Sequence, residues 1–323
     1  MAEINIIGAG ISGLAAAVRV SSQNPETKIH IYEASGKAGG RLKPLTVNEW
    51  QRQIVNPHLI SAANNASLSY LKTVGADIAK NKVSWRTTSF SPLPLYRLFT
   101  ESVQNVPYVN ADKKQAFRLL LKAIAHGTIF YYAKPEDFID KAITFIKERN
   151  ATIHLNSMVT SVKEFPEHVP LIVCVDAYNL KKLGLLTGEI KPLSIVNVHF
   201  NCPRQKKETV LCPNFSFPCV LFADEETVSI TISAAAKLMT YKNGSIIRIF
   251  GNLLRSIYDD VTDIPEAKIF RNHRATVKVD FRQHLIPNNV IIGGDFMNDN
   301  LPATIESSVI AGIRAADTAL SLL

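Results

Sequence analysis

Ile4-Asn5-Ile6-Ile7-Gly8-Ala9-Gly10-Ile11-Ser12-Gly13-Leu14 is the stretch that decides the fold of this chain. Its first four residues form a short apolar run of the kind a buried parallel strand shows. The run stops at Gly8, and residues 8–13 satisfy G-x-G-x-x-G. Each glycine has its own physical role. Gly8 permits the tight turn, Gly10 lets the backbone approach a pyrophosphate, and Gly13 allows close packing of helix on strand. Ile11 and Ser12 lie between them in the same turn. A helix from Leu14 to about Val20 then aims its N-terminal N–H groups and positive dipole end at that phosphate.

The context strengthens the motif. A second strand, Lys28-Ile29-His30-Ile31-Tyr32, ends at Glu33, where a carboxylate would accept from ribose hydroxyls. No arginine directly follows Glu33, so a 2′-phosphate is not provided for. Next come Ala34 and, a few residues on, Gly39-Gly40-Arg41. Two adjacent glycines and an arginine suggest a second loop crossing the same dinucleotide, with Arg41 placed to pair with the pyrophosphate.

The arrangement E-A-x-x-x-x-G-G-R at 33–41 resembles the flavin amine oxidoreductases, which include amine oxidases, protoporphyrinogen oxidases and phytoene desaturases. That resemblance implies FAD, rather than a dissociable nicotinamide, as the ligand of Gly8, Gly10, Ile11, Ser12, Gly13, Glu33, Ala34, Gly39, Gly40 and Arg41. The far end of the chain agrees. Val290-Ile291-Ile292 reads as a buried strand leading to Gly293-Gly294-Asp295, and Leu301-Pro302-Ala303-Thr304-Ile305-Glu306 opens a helix expected to run nearly to Leu323. The pattern resembles A-G-D-W…L-P-A-T-I-E-G-A of the family's squalene-associated branch, the hydroxysqualene dehydroxylases, with mild departures at Gly293, Phe296, Ser307 and Ala311. Asn272-His273-Arg274-Ala275-Thr276 resembles that branch's K-R-A-T segment. By this resemblance Gly294, Asp295, Thr304 and Ile305 join the cofactor set, Asp295 near the ribityl chain or pyrophosphate. The new helix N-terminus would stabilise negative charge on a reduced flavin. A backbone contact to adenine is implied near Val159.

The chain has 323 residues, 46% of them hydrophobic, enough for a large core and commonly two domains. Its net charge of +8 suits anionic ligands or an anionic membrane surface, and the dispersed basic residues form no legible nucleic-acid module. No secretory leader and no membrane-span-length apolar run is read. Cys174, Cys202, Cys212 and Cys219 lack C-x-x-C spacing and read as reduced thiols of a cytoplasmic protein. The histidines are scattered, so no metal site is expected.

Between the two ends, Ile54 to Ile60 matches the family's D-N-G-Q-H-L-L motif only at His58 and the apolar pair after it. Asn56 precedes Pro57, which favours extended backbone, so the loop departs from the family's shape. His58 is the candidate catalytic group beside the flavin, weighed against a structural histidine. A helix from Asn65 to Val74 is closed by Gly75. Residues 84–107 read as irregular, with Pro92 and Pro94 fixing extended turns. From Lys113 to Tyr132 the pattern is a basic amphipathic helix, with Lys114, Arg118, Lys122 and His126 on one face and Phe117, Leu120, Leu121 and Ile124 on the other. Two readings stand: a half-exposed helix of the substrate domain, or a helix lying peripherally on the inner membrane surface and admitting a lipid substrate.

A helix is expected from Lys134-Pro135 to about Asn150, then strands at 151–155, 159–162 and 171–175 and a helix from Ala177. Residues 192–250 read as an antiparallel sheet (195–200, 220–222, 228–233) with a helix from about Thr240. Tyr241 and Tyr258 are candidate pocket aromatics, although such residues more often pack in cores.

The expected fold is α/β. A Rossmann-like FAD domain (parallel sheet with flanking helices; 1–60, 134–178 and 268–323) carries a smaller α+β substrate domain (61–133 and 179–267) with a mainly antiparallel sheet. The middle is shorter than in typical family members. The resemblance implies a hydrophobic isoprenoid substrate and hydride transfer from reduced flavin, giving squalene from hydroxysqualene. Two alternatives remain: an amine or polyene oxidase, and a non-catalytic FAD-binding protein. The sequence leaves the oligomeric state open.

Overall fold

The computed structural model describes residues 2–54, 56, 58–81, 83–85, 92–126, 129–279, 286–297 and 301–323. Pro57 and residues 86–91 of the stretch expected to be irregular lie outside them.

Five short strands make a wholly parallel sheet. In spatial order they are β16 (Val290–Ile292), β10 (Leu171–Val173), β1 (Glu3–Ile7), β2 (Lys28–Tyr32) and β9 (Ala151–His154). The sheet therefore gathers segments from both ends and the middle of the chain, and β1 sits at its centre. Such strands are covered on both faces and read as continuous apolar runs. Ile4, Ile6, Ile29 and Ile31 face a core built by α1 (Ile11–Gln23), α5 (Pro135–Lys147) and α8 (Ile305–Leu320). Ile7, Leu171 and Val173 face the other way, towards α6 (Ala177–Lys182) and the segment holding Val159, Val162 and Phe165. Pro135 opens α5 with Glu136 and Asp137 in its first turn, where acids complement the dipole.

The second sheet has the order β15 (Ala267–Val279), β11 (Ile190–Phe200), β14 (Val228–Ile232), β13 (Cys219–Ala223), β12 (Glu208–Cys212) and β7 (Val83–Trp85). It is antiparallel except for the β12–β7 pair. Val196, Val198 and Phe200 of β11 alternate onto a core closed by α7 (Asn243–Ile257), and Tyr241 and Tyr258 pack against that core. The strand β15 pairs with β11 from Ala267 to Val279, so the boundary expected at residue 268 falls at the start of a strand that belongs to this sheet along its whole length.

Smaller pieces connect the two: a hairpin of β3 (Leu45–Val47) and β4 (Arg52–Ile54), and a three-stranded sheet in the order β5 (Leu59–Ser61), β8 (Phe130–Tyr132) and β6 (Ala79–Asn81). Three helices complete the chain, α2 (Asn65–Thr73), α3 (Pro92–Gln104) and α4 (Lys113–Ala125).

Several expectations are corrected. Residues 92–104 are helical, not extended, because proline is compatible with a helix's first turn, where its missing N–H has no partner to lose. The basic helix stops at Ala125, and Phe130–Tyr132 is a strand. Residues 159–161 form no strand; Ser161 instead caps a single 3-10 turn at Val162–Glu164, with Glu164 reaching back in a capping box. The C-terminal helix opens at Ile305, after Pro302, with Thr304 as its cap.

Candidate functional site: a glycine cradle closed by the distant end of the chain

The first turn folds as its glycines dictate. Gly8 takes φ +98°, and its N–H donates to the Tyr32 carbonyl at 2.8 Å. A Cβ on Gly13 would lie 1.9 Å from the Gly8 carbonyl oxygen, so helix and turn touch only because that side chain is missing. Gly10 differs. A Cβ there would meet nothing nearer than the Gly40 Cα at 4.0 Å, so the space above it is open. The N-terminus of α1 at Gly10 carries no side-chain cap and no acidic residue in its first turn. An open glycine below uncapped N–H groups, on a 13-residue helix, is a cradle for an anion.

Gly39 and Gly40 lie against this turn. The Gly39 N–H donates to the Ala9 carbonyl at 2.8 Å, and Gly39 and Gly40 take φ +114° and +57°. The two glycine loops expected to cross one dinucleotide are thus in backbone contact. The Glu33 carboxylate accepts from the Ala9 N–H at 2.9 Å and from the Ser35 N–H at 3.0 Å, with the Lys43 ammonium at 3.7 Å. Partial burial raises its pKa, but the hydrogen bonds from Ser35 and Ala9 and the charge of Lys43 outweigh that, and the net shift is downward. Glu33 is an anionic acceptor at the end of β2. Ala34 beside it is exposed. Val159 is half-buried just past the segment whose Ser157 N–H donates to the Glu33 carbonyl at 2.9 Å.

The other side of the cradle comes from the distant end of the chain. The Ser12 hydroxyl donates to the Gly293 carbonyl. Gly293 has no room for the family's alanine, because a Cβ would meet the Cys174 Sγ at 2.8 Å. Phe296 lays its ring across Gly294, leaving no space for a side chain there. Burial pushes the Cys174 thiol up to about 12, so it is an inert packing group. Arg41 donates to the Ala275 carbonyl at 2.8 Å and to the buried Asp295 carboxylate at 2.5 Å. The two side chains assigned to the cofactor from opposite ends of the chain therefore hold each other. Thr304 caps α8 by accepting from the Ser307 N–H at 3.3 Å, and Ile305 packs into the first core. Gly312 lets α8 reach α1, since a Cβ would lie 2.2 Å from the Ser12 carbonyl.

His58 is half-buried near this group. Burial, with the Arg41 charge added, lowers its pKa from the ordinary 6.5 to about 4, so its imidazole is neutral at pH 7. Nearby in sequence, Asn56 faces the ring of His199, with Oδ1 and Nε2 3.1 Å apart. His199 is fully buried, its Nδ1 lies 2.7 Å from the Ser229 hydroxyl, and burial lowers its pKa to about 4 against the charge of Asp224.

Two of these contacts are not visible in the sequence. The first is that of His199, which strand alternation alone would place among outward polar residues; Asn197, His199 and Ser229 are in fact all buried. The second is that of Glu306, which reads as part of a cofactor motif. Its carboxylate accepts from the Ala66 N–H at 3.1 Å, the Ser67 N–H at 2.7 Å and the Ser67 hydroxyl at 2.7 Å, and so caps α2. A signal for it does exist: α2 begins Asn65-Ala66-Ser67 with no acid of its own in the first turn.

Residues 6–72 match the model of the NAD(P)-binding Rossmann-like domain. Over 424 aligned positions the chain is 23% identical to a hydroxysqualene dehydroxylase of Zymomonas mobilis, covering 99% of this chain and all of the relative. A second hydroxysqualene dehydroxylase, from Sinorhizobium fredii, is 23% identical over 99% of this chain and 98% of its own length. Among solved structures, cyclohexylamine oxidase from Brevibacterium oxydans superposes with a TM-score of 0.68 at 12% identity, covering 99% of each chain. The chain has the fold of the amine oxidases. The resemblance drawn from its two ends thus extends over the full length. An alignment of 424 positions also exceeds the 323 residues present, so the chain runs shorter than the alignment by about a hundred positions.

Among the described residues no helix is long and apolar enough to cross a membrane, and no group of three or more metal-ligating side chains occurs.

Proposed function

We propose that the protein holds FAD in the glycine cradle and reduces a hydroxylated isoprenoid of the hydroxysqualene type. The observation that carries this reading is the end-to-end similarity to hydroxysqualene dehydroxylases, which spans the cradle, the Arg41–Asp295 pair and α8 together. The residues present fit the group. The open space over Gly10 and the uncapped N-terminus of α1 suit a pyrophosphate, and the Glu33 carboxylate suits ribose hydroxyls. Ala34, Gly39 and Gly40 line the same edge, Val159 lies towards the adenine side, and Gly294, Asp295, Thr304 and Ile305 take the flavin side. Arg41 stands between the two halves with part of its guanidinium exposed, able to keep Asp295 while facing phosphate oxygens. Bound there, FAD supplies the hydride chemistry, and the protein's part is to bind, orient and exclude water. In the overall reaction carbon–oxygen cleavage releases the hydroxyl as water, and a hydride and a proton enter. His58, neutral at pH 7, acts as a hydrogen-bonding group next to Arg41 and not as a charged acid.

The test is anaerobic. Enzyme with chemically reduced flavin is mixed with hydroxysqualene, and squalene should form in step with flavin reoxidation. If the reduced flavin persists while the oxidised enzyme is bleached by an amine or a polyene, the oxidase alternative replaces this reading. Absence of turnover in both directions assigns the shortened chain to cofactor binding alone.

A further inference from the structure

The helix α4 is built unlike an ordinary surface helix. Residues 113–126, KKQAFRLLLKAIAH, contain four lysines or arginines and no carboxylate. Asp112 precedes them and is used as the N-cap, accepting from the Gln115 N–H at 3.0 Å. Of the apolar face formed by Phe117, Leu120, Leu121 and Ile124, only Leu120 is half-buried. The helix buries Ala116 and Ala123, while Phe117, Leu121 and Ile124 are 54%, 49% and 54% exposed. These three follow i, i+4, i+7 spacing, so they form one stripe along the helix. Arg118 and Lys122 each stand one residue past a member of the stripe, and Lys114 lies one turn before Arg118, so positive charge lines its edge. Close by, Val109 is 80% exposed on the turn whose Tyr108 ring receives the Lys113 ammonium at 5.2 Å. Tyr108 packs edge-on against Tyr96, whose hydroxyl donates to the Lys113 carbonyl at 2.9 Å.

A single exposed leucine needs no explanation, but an apolar stripe edged by cations and flanked by two tyrosines does. We infer that this face of α4 docks on an anionic lipid bilayer, with Phe117, Leu121 and Ile124 in the acyl boundary and the basic residues at the headgroups. A second copy of the chain fits the face poorly. A two-fold contact would set Lys114, Arg118 and Lys122 against themselves with no carboxylate on the helix to offset them. The inference holds whatever the cradle's substrate is, and its test does not use turnover.

The experiment is co-sedimentation with vesicles of phosphatidylglycerol and phosphatidylcholine at low and high sodium chloride. The wild type should pellet with the vesicles, and less so as salt rises. The triple variant Lys114→Gln, Arg118→Gln, Lys122→Gln should bind roughly a hundredfold more weakly, about fivefold per charge. The variant Phe117→Ser, Leu121→Ser, Ile124→Ser should lose binding at either salt concentration. Both change surface side chains of one helix, and unchanged circular dichroism verifies that they fold. Wild-type protein that ignores the vesicles, or variants that bind as the wild type does, would overturn the inference. So would a self-associated wild type, seen in sedimentation equilibrium, that only the serine variant disperses, which would give the face to a second copy.

Discussion

Replacing Glu306 by alanine is the perturbation whose cost can be worked most directly. The carboxylate is buried and accepts three hydrogen bonds from the first turn of α2, at 3.1, 2.7 and 2.7 Å. Hydrogen bonds to a charged group contribute about 1.5–3 kcal/mol each, but three on one carboxylate are not additive. In Glu306→Ala the Ser67 hydroxyl can turn elsewhere, whereas the N–H groups of Ala66 and Ser67 are left to the space vacated. Two such donors at about 1–3 kcal/mol each, with some water entering, place the loss at about 3–4 kcal/mol. Glu306→Gln keeps one acceptor oxygen and should lose about half of that. Equilibrium urea unfolding followed by far-ultraviolet circular dichroism measures both. The strap also predicts coupling: Ser67→Ala should cost about 1 kcal/mol in the wild type and much less in Glu306→Ala. A Glu306→Ala loss below about 1 kcal/mol, or additive behaviour of the pair, would refute the assignment of Glu306 to α2.

The last two glycines of the motif should separate cleanly: Gly10→Ala, at φ −74° with open space above it, should leave thermal stability almost unchanged yet strip FAD, whereas Gly13→Ala should fail to fold stably because its Cβ would lie 1.9 Å from a carbonyl oxygen. Flavin absorbance of the purified proteins and their melting curves decide this, and a Gly10→Ala protein with full flavin content would argue against the cradle. His199 is neutral in the fold with a pKa near 4 against an ordinary 6.5, so the unfolded chain binds the extra proton between those values. Its contribution is complete above pH 6.5 and is lost as pH falls towards 4, about 3 kcal/mol at most; His199→Gln should flatten that part of the stability–pH profile, and an unchanged slope would speak against a buried neutral ring. Gly312→Ala, with a Cβ 2.2 Å from the Ser12 carbonyl, should cost about 1–3 kcal/mol by forcing α8 off α1, and should raise the rate of flavin loss measured by fluorescence.

The glycine cradle is legible in the sequence because its parts lie close together there. Strand, turn, helix, second strand and second glycine loop all fall within residues 3–41, where motif spacing and period carry most of the information. The parallel sheet, α5 and the antiparallel strands β11, β13 and β14 follow from apolar runs and alternation. What sequence does not supply is the choice between equivalent faces. In α4 two apolar lanes compete, and the lane that is buried is the alanine one, because small side chains allow a closer approach to the neighbouring elements than Phe117 or Leu121 would. Alternation likewise exposes His199 on paper, and Asn56, 143 residues away, meets its ring in the folded chain. Glu306 misleads for the opposite reason. It belongs to a recognisable motif, and its true partners on α2 are 239 residues or more distant. Pro92 suggests a breaker, yet its place at the start of a helix makes it a nucleator.

The bond from the Ser12 hydroxyl to the Gly293 carbonyl spans 281 residues, and that distance has a consequence for biogenesis. At roughly 5–20 residues per second, a ribosome needs on the order of 14–56 s to travel from one partner to the other. Throughout that interval the α1 face destined for α8 has no cover. Where Gly312 of α8 meets it, at Ser12 and Ala16, that face carries small side chains instead of leucines and phenylalanines, which gives a nascent chain little to aggregate through. The same smallness lets the last helix seat within a carbonyl's reach of the first. A cofactor captured before that moment would meet only half of its cradle, so tight retention of the flavin is expected to begin after synthesis has passed Gly312, not when the glycine motif emerges.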